Sequence, residues 1–450
     1  MGGRTMKQSM AKILNENRGA LDVTAAAARI STQEGTAREI YARSGDREKD
    51  LKLVGKVLSS GHQSVVEHQT FSIAFNDVSV LAEQFIIEFR LASFTVKSRR
   101  YVDFSKAGYV ADDGLSGEAA RLYAGRAEAL FGDYERLLAL GVPKEDARFL
   151  LPYCLRSNFF ATMNARELVR MIQAMRFGRG ARFAELRGLG EQLSAQLDAL
   201  YPGVFSFGPM DEAVAPTAQP LTFAKGEPAK GGAELLAAPG AAEKLLAAAM
   251  DFSGRWPQGY SAQSVRALIR DSRPRELEVL NYTFRVSDVS LACVTHFTRH
   301  RMQSLMVPDV IRALINGRYV LPESVAASPE AKAIYCEAFA AQADAANHLA
   351  ALGVPAATLS YLAMSGHVLD LMLTMNAREL LLFSRLRTCT RAQWEIRGVA
   401  RQMVAALSRT SPEIFGGYGP SCAVMGRCPE GRMSCGHPVS VENGVWKERK

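Results

Sequence analysis

No run of 18 apolar residues occurs in the 450-residue chain, so no part of it reads as a membrane-spanning helix. The first twenty residues are polar and lack the apolar core of a secretory signal, which leads us to expect a cytoplasmic location. Lysine and arginine never form a run of five, and no recognised nucleic-acid-binding motif is present, so no nucleic-acid partner is expected. Cysteine is scarce and odd in number, at seven. Cys154, Cys293, Cys336 and Cys389 stand singly in apolar or helical contexts, where buried thiols are expected. A small disulfide-stapled scaffold is excluded, as are a collagen-like fibre and a mostly disordered chain. What is present is the composition of a globular protein, 48% hydrophobic and 22% charged. The 54 Lys+Arg against 46 Asp+Glu leave a net charge of +8, a surplus that suits anionic small molecules.

The chain repeats itself. Thr162 to Leu168 recurs unchanged as Thr374 to Leu380, and Gly141-Val142-Pro143 recurs as Gly353-Val354-Pro355, both at an offset of 212. Asp77-Val78-Ser79 recurs as Asp288-Val289-Ser290, and Arg90 with Ser93 matches Arg301 with Ser304, at 211. A period this long means duplicated domains rather than a solenoid. We expect a first copy over 1–206, a linker over 207–244, a second copy over 245–415 and a cysteine-containing tail over 416–450. The linker holds five prolines (209, 216, 220, 228, 239) among Ala, Gly and Lys, a composition that does not support a packed core. Within a copy, Phe71–Val78 and Tyr282–Val289 alternate as strands do, while Val80–Phe94 and Leu291–Leu305 read as helices. Pro143 and Pro355 mark helix starts. Asn164 and Asn376 stand three residues before Glu167 and Glu379, the spacing of a capping box. Each copy is therefore mixed α and β.

The sharpest motif is Arg299-His300-Arg301, two guanidiniums about an imidazole beside apolar sequence, a pattern suited to phosphate or carboxylate. A solvated basic helix end is the plainer reading. The first copy has Glu88-Phe89-Arg90 at that place, and carries Ser98-Arg99-Arg100-Tyr101 where the second has Asp309, Val310, Ile311 and Arg312. Arg148 has only Ser360 as counterpart. His62, Glu67 and His68 resemble a metal cluster, but Glu67 and His68 are adjacent and cannot share a helix face, and the second copy keeps only Glu278. Asn164 and Asn376 serve equally as plain N-caps or, beside Arg166 and Arg378, as anion sites at helix N-termini. Arg387 and Ala392-Gln393-Trp394-Glu395-Ile396 follow in the second copy. The first offers Arg176 and Ala181 to Glu185, degraded and slightly out of register. In the tail, Cys422, Cys428, Cys435 and His437 could hold zinc, or the three thiolates an iron–sulfur cluster. Their spacing matches no standard finger, and redox-active thiols or a disulfide are the other readings.

Taken in order, these motifs resemble those of the flavin-dependent thymidylate synthases, twice over. The resemblance implies an α+β fold, an antiparallel sheet with helices, working as a homotetramer with flavin adenine dinucleotide (FAD) at subunit junctions. A tandem chain would form a homodimer that is a pseudo-tetramer. It implies flavin contacts for Arg299, His300, Arg301, Asn376 and Arg378 in the second copy, and for His62, Glu67, Asn164, Arg166 and Ser31 in the first. Ser98, Arg100 and Arg148 match positions that hold the deoxyuridylate base and phosphate, with Arg387 a further nucleotide contact. Ser98, Arg100 and Arg299 would then carry the catalysis. The implied reaction is C5 methylation of deoxyuridylate, with NADPH and methylenetetrahydrofolate as co-substrates. Neither copy holds a full set of motifs, and the losses are complementary, which points to composite sites. The family's Asn-Glu before the Ser is Thr95-Val96 in one copy and Met306-Val307 in the other. Another uridine or cytidine nucleotide, or a non-catalytic binding protein, therefore stands beside the deoxyuridylate reading.

Overall fold

The computed structural model describes residues 8–210, 212, 220–442 and 445–448, so Pro216 of the expected linker lies outside the described residues. The chain divides into two compact units, one of 1–223 with 323–364, the other of 224–322 with 365–450. The first unit runs β1 (Met10–Glu16), α1 (Ala20–Ile30), α2 (Ala37–Ala42), α3 (Arg47–Ser59), β2 (Thr70–Ser79), α4 (Val80–Ile87), β3 (Ala92–Val96), α5 (Gly117–Ala139), α6 (Lys144–Ala147), β4 (Arg156–Asn164), α7 (Ala165–Arg176) and α8 (Ala184–Leu200). The second opens with β5 (Pro228–Ala229), β6 (Gly232–Ala237), α9 (Ala242–Ser253), α10 (Ala262–Arg270), β7 (Asn281–Ser290), α11 (Leu291–Phe297), β8 (Gln303–Met306), α12 (Ile311–Asn316) and β9 (Tyr319–Val320). The chain then supplies α13 (Glu323–Ala326), α14 (Pro329–Ala351) and α15 (Ala356–Ser360) to the first unit. It finishes in the second with β10 (Val368–Asn376), α16 (Ala377–Arg387), α17 (Trp394–Thr410), α18 (Pro412–Phe415), α19 (Ser421–Met425) and the hairpin β11 (Val439–Glu442) and β12 (Val445–Glu448). Among the described residues no helix is long and apolar enough to cross a membrane.

Each unit is built on a four-stranded antiparallel sheet, ordered β1-β2-β4-β3 in the first and β6-β7-β10-β8 in the second. The α+β class implied by the resemblance is the class observed. Alternation along β4 and β10 turns every second side chain inward. In the second unit Leu371, Leu373 and Met375 of β10 thereby join Phe284 of β7 and Ile396 and Met403 of α17 in one apolar core. The outer strands are held by helix glutamines. Ala11 and Ile13 donate their amides to Gln192 and Gln196 of α8, each at 2.9 Å, and Ala233 donates to Gln402 of α17 at 3.1 Å. These bonds satisfy edge groups that would otherwise invite another strand. Gly232–Ala237, inside the stretch expected to be linker, is thus a paired strand despite its proline-rich flanks.

The expected helices Val80–Phe94 and Leu291–Leu305 are each two elements. They stop at Ile87 and Phe297, and the β-branched and aromatic residues beyond form β3 and β8, pairing with β4 and β10. Strand pairing overrides what reads as continued apolar periodicity. The corner before each helix is the same device. Asp77 (φ 53°) and Asp288 (φ 51°) sit in left-handed bulges and donate their amides to Asn158 Oδ1 and Asp370 Oδ1, each at 3.0 Å. Pro143 and Pro355 are N-cap residues of α6 and α15, one place before the helix rather than in its first turn.

α5 and α14, both of 23 residues and offset by 212, pack together within the first unit. Arg126 joins them, donating to Gln342 Oε1 and to the Ala338 carbonyl, each at 2.7 Å. Pro152 and Met364, equivalent positions of the repeat, face one another in an isolated bridge.

Candidate functional site

In the second unit the Arg-His-Arg motif is the turn between α11 and β8. Ser290 caps α11, accepting from Cys293 N at 3.0 Å, and is anchored through its own N–H to Glu395 Oε1 at 2.7 Å and through its hydroxyl to Glu395 Oε2. In the first unit Ser79 is held by Glu185 in the same way, at 2.7 Å from its amide. Glu185 is therefore the counterpart of Glu395 in role, at an offset of 210 where the preceding repeat block stands at 212, so the Ala181–Glu185 segment is out of register by two residues. Beyond α11, Gln303 Nε2 donates to the carbonyls of Phe297 (2.6 Å) and His300 (3.0 Å), fastening the turn. Arg299 and Arg301 are exposed, whereas His300 is buried. The His300 ring packs against Phe383, 5.0 Å between centroids. Its Nδ1 lies 2.8 Å from Glu379 Oε1, and Arg387 Nε donates to its Nε2 at 3.0 Å. Sequence reasoning placed His300 and Arg387 in separate roles and read Glu379 as half of a capping box. The structure joins all three.

The N-cap half of that box is present. Asn376 accepts from Glu379 N at 2.8 Å and Asn164 from Glu167 N at 2.9 Å. The reciprocal half is absent, because Glu379 turns to His300 and Glu167 accepts from Leu91 N at 3.2 Å. Arg378 pairs with Glu278, and Arg166 pairs with Glu67 at 2.6 Å. This equivalent pair in the two copies assigns Glu67 to arginine, not to a metal.

Glu67, Asn164 and Arg166 line a cavity of about 670 Å³ in the first unit, with Leu58, Val66, Arg170 and Phe205 among its other walls. His62 stands outside that lining, exposed at the start of the turn before β2, and Ser31 is exposed at the C-cap of α1. At the first copy's counterpart of Arg299, Glu88 pairs with Arg179 at 2.7 Å, while Phe89 is buried where the second copy has His300.

Arg100 and Arg148 both meet Glu145, and Ser98 stands beside Arg100. Arg100 Nε lies 2.7 Å from Glu145 Oε1, Arg148 Nε donates to the Glu145 carbonyl at 3.0 Å, and Arg100 N donates to Ser98 Oγ at 3.3 Å. Arg148 is buried and Arg100 half-buried. Arg99 turns inward instead, into a two-point pair with buried Glu83 at 2.7 and 3.0 Å, to which Ser157 also donates. Sequence reasoning missed Glu145 and Glu83; a carboxylate one helical turn before Arg148 was the available signal for the first.

None of the seven cysteines, all among the described residues, is in a disulfide. Burial pushes the Cys154 thiol up to about 12. Of the readings open for Cys422, Cys428, Cys435 and His437, the metal is not supported: among the described residues no three or more His, Cys, Asp or Glu side chains gather so as to hold a metal ion. Cys428 is exposed on its loop, and Cys435 faces the His437 carbonyl at 3.7 Å.

Comparison with known proteins agrees with this doubled architecture. A family model described as thymidylate synthase complementing protein matches residues 12–203 and again 234–413. The flavin-dependent thymidylate synthase of Geobacter sulfurreducens is 36% identical over 169 residues, 37% of this chain and 72% of its own length. That of Clostridium tetani is 30% identical over 183 residues, 37% of this chain and 73% of its own. Among solved structures, the flavin-dependent thymidylate synthase of Helicobacter pylori complexed with FAD and dUMP is 18% identical, with a TM-score of 0.36, covering 44% of this chain and 100% of that one. The chain belongs to the thymidylate synthase complementing protein family, the flavin-dependent thymidylate synthases, with two members of that family in tandem on one polypeptide.

Proposed function

We propose that this protein is a flavin-dependent C5 methyltransferase of a pyrimidine nucleotide, most simply deoxyuridylate, and that a working site needs groups from both copies. One observation carries the reading: each copy keeps what the other has lost. The first keeps Ser98, Arg100 and Arg148, the two arginines meeting at Glu145, where the second has Asp309, Ile311 and Ser360. The second holds Arg299, His300 and Arg387, where the first has an internally paired Glu88, then Phe89 and Met175.

The residues present suit a flavin dinucleotide. The cavity at the α7 N-terminus joins apolar walls, Leu58, Val66 and Phe205, to the cations Arg166 and Arg170. A flat apolar ring and an anionic pyrophosphate need that combination, and a helix N-terminus adds amide donors for the phosphates. Asn376, Arg378, Arg299 and Arg301 supply the like groups from the second copy. Once bound and reduced by NADPH, the flavin supplies a hydride, and methylenetetrahydrofolate the one-carbon unit. The chain's own part is to bind, orient and polarise. Arg148 and Arg100 fix the nucleotide phosphate and base, and the Ser98 hydroxyl fixes its register. Guanidiniums beside the pyrimidine stabilise negative charge as it develops on the ring. We place the enzyme in the cytoplasm as a homodimer.

A second reading rests on Thr95-Val96 and Met306-Val307 in place of the family's Asn-Glu. With that amide and carboxylate gone from both copies, a different uridine or cytidine nucleotide is the substrate. Oxidation of reduced flavin, measured with deoxyuridylate and with other uridine and cytidine nucleotides in turn, separates the two. A purified protein with no affinity for FAD would overturn both.

A further inference from the structure

We infer that Glu379 is a positioning residue for this site: it fixes His300 as the Nδ1–H tautomer, so that Nε2 accepts from Arg387 and sets the direction of that guanidinium. The inference rests on the proposed function only for the task of Arg387 toward the nucleotide. An arginine Nε–H can only donate. His300 Nε2, 3.0 Å from Arg387 Nε, must therefore present its lone pair, and the ring proton lies on Nδ1, 2.8 Å from Glu379 Oε1. Both His300 and Glu379 are buried, where a hydrogen bond to a carboxylate is at its strongest. The ring plane is fixed independently by the Phe383 contact, and the backbone that carries it by Gln303 on the His300 carbonyl.

The first copy supplies the control. Its equivalent carboxylate, Glu167, is likewise buried and likewise follows an Asn N-cap, yet it accepts from Leu91 N because Phe89 offers no ring nitrogen. Gln303 and Arg387 are Ala92 and Met175 there. The carboxylate is thus common to both copies, and the relay through it belongs to the copy that retains Arg-His-Arg. With Nε committed to the imidazole, the planar Arg387 fork has one orientation in which to meet an anion. At metal sites, a partner that sets a histidine ligand's tautomer from behind is worth on the order of tenfold or more in metal affinity or activity, which sets the scale expected here.

The test uses the full chain labelled with ¹⁵N-histidine, without flavin or nucleotide, with His300 identified among the seven histidines by loss of its signal in His300→Gln. The expected result is an Nδ1–H imidazole in the wild type, in Glu379→Gln, whose amide oxygen still accepts, and in Arg387→Met. Glu379→Ala combined with Arg387→Met, which also removes the donor that keeps Nε2 an acceptor, should move the proton to Nε2. In turnover, Glu379→Ala should raise KM for the nucleotide on the order of tenfold, with kcat changed much less, and Glu379→Gln should restore it. An Nε2–H tautomer in the wild type would overturn the inference, as would an Nδ1–H signal persisting in the double variant Glu379→Ala with Arg387→Met. Should Glu379→Ala not fold, Glu379→Gln and Arg387→Met decide, since loss of Nδ1–H in either is the contrary result. The tautomer is read without turnover, so it stands or falls apart from the proposed reaction.

Discussion

At the residue scale, the two copies place identical amino acids in different employment. Asn164 and Asn376 do the same work, and each should lose about 1 kcal/mol of stability when changed to alanine, read by denaturant unfolding. That role was legible in sequence, because an N-cap and its amide partner lie three residues apart. The partner of Glu379 was not, because His300 is 79 positions away and only the sheet brings it near. Glu276 gives a residue-scale test of pH dependence. Burial opposes its ionisation, but Arg255 (2.9 Å), Trp256 (3.1 Å) and further donors hold the carboxyl down at about 2. Its folded value is below that of the unfolded chain, about 4.3. The stabilisation it contributes is thus full above that pH and is lost as pH falls toward 2. Glu276→Gln should cost on the order of 2–3 kcal/mol at neutral pH and flatten the fall in stability between pH 5 and 2. An unchanged acid slope in that variant would contradict the assignment.

At the scale of elements, one strand of each sheet was legible, and its sheet partners and the ends of helices were not. The strands β2 and β7 are readable from alternation, since one face is buried and one is not. α4 and α11 run straight on into the Arg-His-Arg region and its counterpart, and apolar sequence alone does not say where helix gives way to strand. The boundary is set by long-range pairing with β4 and β10. The edge glutamines give a prediction at this scale. Gln402→Leu leaves the amide of Ala233 without its side-chain acceptor, and should speed hydrogen exchange in β6 while leaving β10 protected. Equal exchange in wild type and variant would show that the edge needs no such support. β6 itself escaped sequence reasoning because its flanks carry the prolines of a linker.

For the molecule as a whole, the doubled family match is the setting for the proposed division of site residues between the copies. A chain that repeats its fold can lose a group from one copy without penalty, provided the other copy's group serves the same pocket. Glu88 with Arg179, and buried Phe89, show that the first copy has no Arg-His at this place, and that the ion pair and the apolar ring fill it instead. The prediction is one FAD per chain, read by flavin titration against protein concentration, and abolished by Arg299→Ala. The motifs, their order and the complementary losses were all legible in sequence. The carboxylates that organise them, Glu145, Glu278 and Glu379, were not all so, since their roles follow from distance and not from spacing.

The central claim is most directly tested by nucleotide-dependent turnover of Arg100→Ala and Arg299→Ala, measured as separate single variants of the full chain. Shared sites predict that each substitution alone removes nearly all activity, at least a hundredfold. If each copy held an independent site, either variant would keep about half the wild-type rate, and that result would contradict the account.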